Sequence, residues 1–237
     1  YGIYTMSEIS HVRIGLGFTE SKGFGEPLLN AMIDSLGASD GEVVLLADVA
    51  KKGVSDEGED WLNIGRSAFG WGCSVAMRRR HLSQIPNLLV VNPVEPTPLP
   101  KLVRGSYVGF RKDVITKSRT SGAGFIEPSG AELPVTVLRN ALFNMSVPVR
   151  VRKFSTADFM MLAALEGKIP GHIGYLSSEH DEFTFHDPMR HDLLRVRLAD
   201  RNPSLAVLNG EEQDHGWAMY NPSEAAEVIV GMLENAA

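Results

Sequence analysis

The stretch Leu62-Asn63-Ile64-Gly65-Arg66-Ser67-Ala68-Phe69-Gly70-Trp71-Gly72 is an apolar run that breaks at a glycine, presents a serine and continues into small and apolar residues. The pattern predicts a strand, a sharp turn and a helix. A turn of this kind holds its serine in a strained backbone conformation at the strand end, with the hydroxyl clear of the sheet and facing the first amides of the next helix. Such a nucleophile elbow suits acyl chemistry. The same letters also fit a glycine-rich connection with an incidental serine, so the reading depends on what the rest of the chain supplies.

A serine hydroxyl is a poor nucleophile until a positioned imidazole takes its proton, and the imidazole in turn needs an orienting group. Both have candidates downstream. Ser204 to Gly210 reads as a buried strand, followed by Asp214-His215-Gly216-Trp217, so His215 falls in a loop beyond a strand end. His172-Ile173-Gly174-Tyr175-Leu176 reads as another strand, and Ser178-Glu179-His180-Asp181 leaves it at the same end of a parallel sheet. Asp181 is the natural acid. Asp187, further along that loop, and Glu95, after the preceding strand, are the alternative acids.

Short continuous apolar runs at Val12 to Gly15, Glu42 to Val49, Leu62 to Gly65, Leu88 to Asn92, Ile173 to Leu176 and Leu205 to Leu208 suit strands covered on both faces. Helical patterns lie between them. Leu28, Leu29, Met32, Ile33 and Leu36 share one face that ends before Gly37, and Asn221, Pro222 and Glu224 read as a cap, a first-turn proline and a capping-box acid. The expectation is an α/β fold: an open, mostly parallel sheet with helices on both faces.

In the order serine, acid, histidine, and in several motifs, the chain resembles the α/β-hydrolase-fold superfamily, of the serine hydrolase type, along nearly its whole length. Ile14-Gly15-Leu16-Gly17-Phe18-Thr19 occupies the place of the family's strand followed by His-Gly, with Leu16 for the histidine, and Ala47 to Asp56 is similar to its Pro-Asp-x-x-Gly-x-Gly-x-Ser-Asp loop. The resemblance implies Ser67, Asp181 and His215 as the catalytic triad and the backbone amides of Phe18 and Ala68 as the oxyanion hole. Two features depart from the pattern. Phe69 stands where the family elbow has its second glycine, with Gly70 the residue placed to take over. Only about a dozen residues separate the Glu42 to Val49 strand from the next, near the minimum for a parallel crossover. That implies a truncated crossover helix around Asp56 to Trp61, or residues missing from this chain.

The resemblance also implies a domain plan, with residues 1–98 and 171–237 as the core and 99–170 as a helical cap insertion. Pro93, Pro96, Pro98 and Pro100 break the chain where that insertion would begin. The segments Val135 to Met145 and Thr156 to Leu165, rich in Leu, Phe, Met and Ala, suit either an apolar lid above Ser67 or simple packing of the cap on the core.

The 237 residues are 43% hydrophobic and 22% charged, enough for a substantial core, and the net charge of −6 argues against a phosphate-backbone partner. Arg78-Arg79-Arg80 reads as a solvated helix end. A single cysteine, Cys73, excludes an internal disulfide framework and reads as a packing residue. No apolar run reaches the length of a membrane span and the Tyr1 to Met6 start lacks a signal pattern, so the expected location is cytoplasmic, with no membrane partner. Glu179 to Asp192 holds three histidines, but not at metal-ligand spacing. Gly15-x-Gly17 and Gly70-x-Gly72 stop short of a dinucleotide fingerprint. Neither metal nor other cofactor is expected.

The leading expectation is therefore a serine hydrolase cleaving a carboxylic ester or thioester of a partly apolar small molecule through an acyl-enzyme. Acyl transfer or cyclisation from the same intermediate, and a non-catalytic ligand-binding protein, are the alternatives. A homo-oligomer is left open.

Overall fold

Runs of apolar residues without polar alternation can be satisfied only in strands covered on both faces, and the glycines and prolines between them set where each strand stops. The computed structural model describes residues 9–17, 22–46, 48–49, 58–67, 69–93, 155–181 and 188–235. Within them six strands form one sheet: β1 His11–Leu16, β2 Asp40–Leu45, β3 Trp61–Arg66, β4 Asn87–Val91, β5 Ile173–Ser178 and β6 Ser204–Leu208. Their order is β2-β1-β3-β4-β5-β6, and every neighbouring pair is parallel. All strands thus end at one edge of the sheet. This is the open parallel sheet with helices on both faces expected from the sequence.

The helices are α1 Lys22–Leu36, α2 Phe69–Arg78, α3 Thr156–Leu165, α4 Pro188–Arg197, α5 Trp217–Tyr220 and α6 Pro222–Glu234. Strand period decides which helices each residue meets. Val12, Ile14, Leu16, Leu62, Ile64, Leu89, Val91 and Leu176 turn to one face and share a core with Phe24, Leu28 and Met32 of α1, Trp217 of α5 and Ile229 and Leu233 of α6. Leu88, Val90, Ile173 and Tyr175 turn to the other, against Phe69, Cys73 and Met77 of α2, Phe159 and Met160 of α3 and Leu194 of α4. No described helix is long and apolar enough to cross a membrane.

Four expectations meet a different outcome. The strand expected over Glu42 to Val49 ends at Leu45, and Leu46, Asp48 and Val49 are helical. Thr156–Leu165, placed by the sequence inside the cap, is capped by a reciprocal Ser155–Asp158 pair, and its buried Ala157, Phe159, Met160, Ala163 and Ala164 cover the sheet ahead of β5. These side chains belong to the same core cluster as Phe69 and Cys73 of α2; residues 99–154, with Val135 to Met145, lie outside the described residues. Asn221 precedes α6 without a side-chain capping bond, and its own N–H donates to Trp217 O at 2.9 Å, which leaves no donor for Glu224 to close a box. The fourth concerns Phe69.

Family elbows use a glycine two residues after the serine so that helix and strand can approach. Here the glycines are on the strands. Gly15 and Gly65 are register partners on β1 and β3, and the Phe69 ring lies across both, so that a Cβ on either would collide with it. Gly70 serves a different contact, the close approach of Thr156 at the start of α3. The ring is 1% exposed and fills the space two missing side chains leave.

Polar residues inside the sheet are paired. Arg13 of β1, 1% exposed, donates through Nε and Nη2 to Glu42 Oε1 at 2.8 and 2.7 Å and through Nη1 to Asn63 Oδ1 at 2.9 Å, with its guanidinium 4.6 Å from the Trp61 ring centre. At the N-terminal edge Asn87 donates to the carbonyls of Glu59 and Trp61 and accepts from the His172 amide. The His172 Nε2 is buried and has no partner among the described residues, and desolvation lowers its pKa to about 4.

Two outcomes follow from this packing. Phe69→Ala should destabilise the protein by about 3–5 kcal/mol, and Gly15→Ala should also destabilise it. In urea unfolding the double variant should be more stable than the sum of the two losses predicts, since the added methyl enters the space the ring leaves. For His172, the folded protein holds the ring neutral while the unfolded chain protonates it below the ordinary pKa of 6.5. Its contribution is complete above that pH and is lost as the pH falls towards 4, by up to about 3 kcal/mol. His172→Leu should flatten that part of the stability profile.

Candidate active site

Ser67 directly follows β3 with φ 53°, a left-handed conformation that costs a non-glycine residue about 1–3 kcal/mol. Its backbone N–H donates to Val91 O at the end of β4, at 3.2 Å, so the turn is tied to the neighbouring strand. With α2 locked by Phe69 and β3 ending at Arg66, the chain must reverse within the residues between them. The strain is the consequence of fitting that reversal into so few residues, and the serine is 6% exposed.

Asp181 and His215 meet across 34 residues. His215 Nδ1 lies 2.7 Å from Asp181 Oδ2, and each residue is 6% exposed. The acid reaches this place through a turn at the end of β5, where the Glu179 amide donates to Leu208 O at 3.0 Å and the His180 amide to Ser178 Oγ at 3.1 Å. The histidine loop after β6 is stiffened from inside: Asp214 Oδ1 accepts from the Gly216 amide at 2.8 Å and from Tyr220 Oη at 2.6 Å. An Nδ1–H donated to the carboxylate leaves Nε2 as the basic nitrogen of a neutral ring. Arg66, the residue before Ser67, donates to the carbonyl of His215 and so fastens the histidine loop to the strand that presents the serine.

Three residues expected at the site, Ser67, Asp181 and His215, are therefore presented at one edge of one sheet. Phe18, Ala68, Glu95 and Asp187 lie outside the described residues. The histidines of the Glu179 to Asp192 stretch that are described stand apart. His180 contacts Asn209 O at 3.2 Å on the surface, whereas His191 is buried with Nε2 2.9 Å from Ser177 Oγ and its edge against Tyr175. Among the described residues no three His, Cys, Asp or Glu side chains gather as a metal ion would require. Cys73 is fully buried in α2, and desolvation pushes its thiol far up, holding it protonated and inert.

Sequence reasoning passed over Arg66 and Asn92. Both carried a signal: a charge inside an apolar strand and an amide at the end of a four-residue apolar run, each 1% exposed in the fold. Buried polar side chains of that kind are kept only where they find partners.

No protein-family model matches the sequence, and no curated protein matches it. Solved structures match over nearly its whole length at low identity. The chain is similar to DcsB in complex with its substrate analogue, at 11% identity over 96% of this chain and 90% of that one, with a TM-score of 0.44. It is also similar to an AqdC variant in complex with its substrate, described for recognition and ring-cleavage of the Pseudomonas quinolone signal, at 14% identity over 95% and 92%, TM-score 0.48. A third is 1H-3-hydroxy-4-oxoquinoline 2,4-dioxygenase, at 15% identity over 95% and 92%, TM-score 0.47. The fold of this chain rests on its own sheet topology rather than on these likenesses.

Removing the carboxylate should expose the dependence of His215 on it. Asp181→Ala leaves a buried ring N–H without its acceptor, a loss of about 1–3 kcal/mol. Urea unfolding of this variant beside Asp214→Ala, which removes the acceptor of the Gly216 amide and Tyr220 Oη, compares the two contributions.

Proposed function

We propose that the protein is a serine hydrolase that cleaves a carboxylic ester or thioester of a partly apolar small molecule. The observation that carries this reading is the buried 2.7 Å pair of Asp181 and His215 at the sheet edge where Ser67 holds its left-handed turn. Strain, burial and an oriented imidazole are each costly to maintain, and acyl transfer through serine uses all three together.

In this mechanism His215 Nε2 takes the Ser67 proton as Oγ attacks the substrate carbonyl. Asp181 holds the ring in the tautomer that leaves Nε2 basic and stabilises the imidazolium that forms. The tetrahedral oxyanion is met by the backbone amides of Phe18 and Ala68, and its collapse expels the alcohol or thiol with the proton returned from His215. Water, deprotonated by the same imidazole, then hydrolyses the acyl-enzyme. The Leu, Phe and Met content of residues 135–145 is of the composition that suits an apolar acyl group.

A fluorophosphonate probe should add one covalent label to the native protein, at Ser67, and none to Ser67→Ala. Equal labelling of both would remove Ser67 as the nucleophile. Asp181→Asn should slow acylation by up to about 10⁴-fold with substrate affinity little changed, while Asp187→Asn and Glu95→Gln have far smaller effects. Intact-mass analysis with a panel of p-nitrophenyl esters and an acyl thioester distinguishes hydrolysis, seen as turnover, from acyl transfer or cyclisation, seen as a persistent adduct. A protein that only binds ligands gives neither.

A further inference from the structure

The loop that carries His215 leaves β6 and runs back across the sheet edge against the strand order. Three consecutive carbonyls along it each meet a side-chain donor from a different strand. Gln213 O accepts from Ser178 Oγ at the end of β5. Asp214 O accepts from Asn92 Nδ2, just past β4, at 2.9 Å. His215 O accepts from Arg66 at the end of β3. Neighbouring strands are about 4.8 Å apart and consecutive Cα atoms about 3.8 Å, so a loop advancing one residue per strand nearly keeps pace with the sheet.

Each donor is 1% exposed, and desolvating a guanidinium, an amide and a hydroxyl is costly unless the bonds they make are used. Asn92 also holds a left-handed φ of 45° while its own amide donates to Leu176 O at 2.8 Å. The placement has a direct geometric consequence. Arg66 is the residue before Ser67, and Ser178 is three residues before Asp181, so the strand ends that present the serine and the acid are the same ones that grip the loop presenting the histidine.

We propose that Ser178, Asn92 and Arg66 are positioning residues: together they set the register of the histidine loop along the sheet edge and so fix the His215 imidazole relative to Ser67. This rests on the reading of Ser67, Asp181 and His215 as the reacting set and deepens it. The bonds within the loop, from Asp214 to Gly216 and Tyr220, keep its shape but cannot choose where along the edge it lies. The three cross-strand donors do.

The test uses the full chain with Ser178→Ala, Asn92→Ala, Arg66→Gln and the conservative Ser178→Thr. Three quantities are measured below the unfolding transition of each variant: thermal stability, the rate of fluorophosphonate labelling at Ser67, and the proton NMR signal of the His215 Nδ1–H bound to Asp181. Ser178→Ala and Asn92→Ala should label about 10- to 100-fold more slowly than the parent, since a misplacement of about 1 Å can cost 10²-fold. Their Nδ1–H signal should shift or broaden, and Ser178→Thr, which keeps the donor, should restore both. Folded variants that label at the parent rate with an unchanged signal overturn the proposal, even if their melting temperature falls. If Arg66→Gln does not fold, the other two decide. If the parent protein itself takes no label at Ser67, the hydrolase reading fails, and the imidazole signal alone then decides the positioning role: unchanged in Ser178→Ala and Asn92→Ala, it overturns it; altered in both and restored in Ser178→Thr, it supports it.

Discussion

The ring of Phe69 lying across Gly15 and Gly65 is the contact on which the arrangement of the molecule turns. It closes α2 down on β1 and β3 and fixes where that helix begins. With the end of β3 also fixed, the residues between have to reverse direction abruptly, and Ser67 takes the left-handed conformation that results. Packing of this kind, roughly 3–5 kcal/mol for a buried phenylalanine, exceeds the strain it imposes on one residue. The elbow is therefore held by tertiary packing in place of the small-residue spacing that such turns commonly use.

A sheet covered on both faces leaves little room for charge, yet β1 and β3 each bury an arginine. Arg13 turns towards α2 and is satisfied within the sheet by Glu42 and Asn63 and by the face of Trp61. Arg66 lies at the opposite end of its strand and reaches out of the sheet to the backbone of a loop 149 residues later. The first stabilises the sheet where it stands, and the second ties the sheet to a loop. Residue type alone does not separate these roles; position along the strand does, because only the end of a strand has loops within reach.

The edge where the strands end collects the chemistry for a simple reason of topology. Parallel strands place all their C-terminal ends together, and the connections leaving them are free of the hydrogen-bond ladder. Asp181 and His215 leave β5 and β6 by such connections and meet where both are buried, and a hydrogen bond between them is stronger there than at the surface. The opposite edge has polar residues too. There the Asn87 side chain serves the backbone of Glu59, Trp61 and His172, and the His172 ring, with its Nε2 desolvated, has its pKa lowered to about 4.

How much of this was legible in the sequence depends on the range over which each feature is decided. Strand positions, the parallel class and the helix face ending at Gly37 are set by local periodicity and by turn residues, and these are written in consecutive letters. The strand over Glu42 to Val49 was read too long because apolar character continues from β2 into a helical turn, and period alone does not mark that change. The capping box expected at Asn221 does not form because the Asn221 N–H donates to Trp217 O in the preceding helical turn. The place of Phe69 and the anchoring of the histidine loop were decided only by the tertiary structure. A glycine pair on two strands becomes a socket only once those strands are in register, and a backbone carbonyl is an acceptor at every residue, so no letter in the sequence says which carbonyls Ser178, Asn92 and Arg66 will meet.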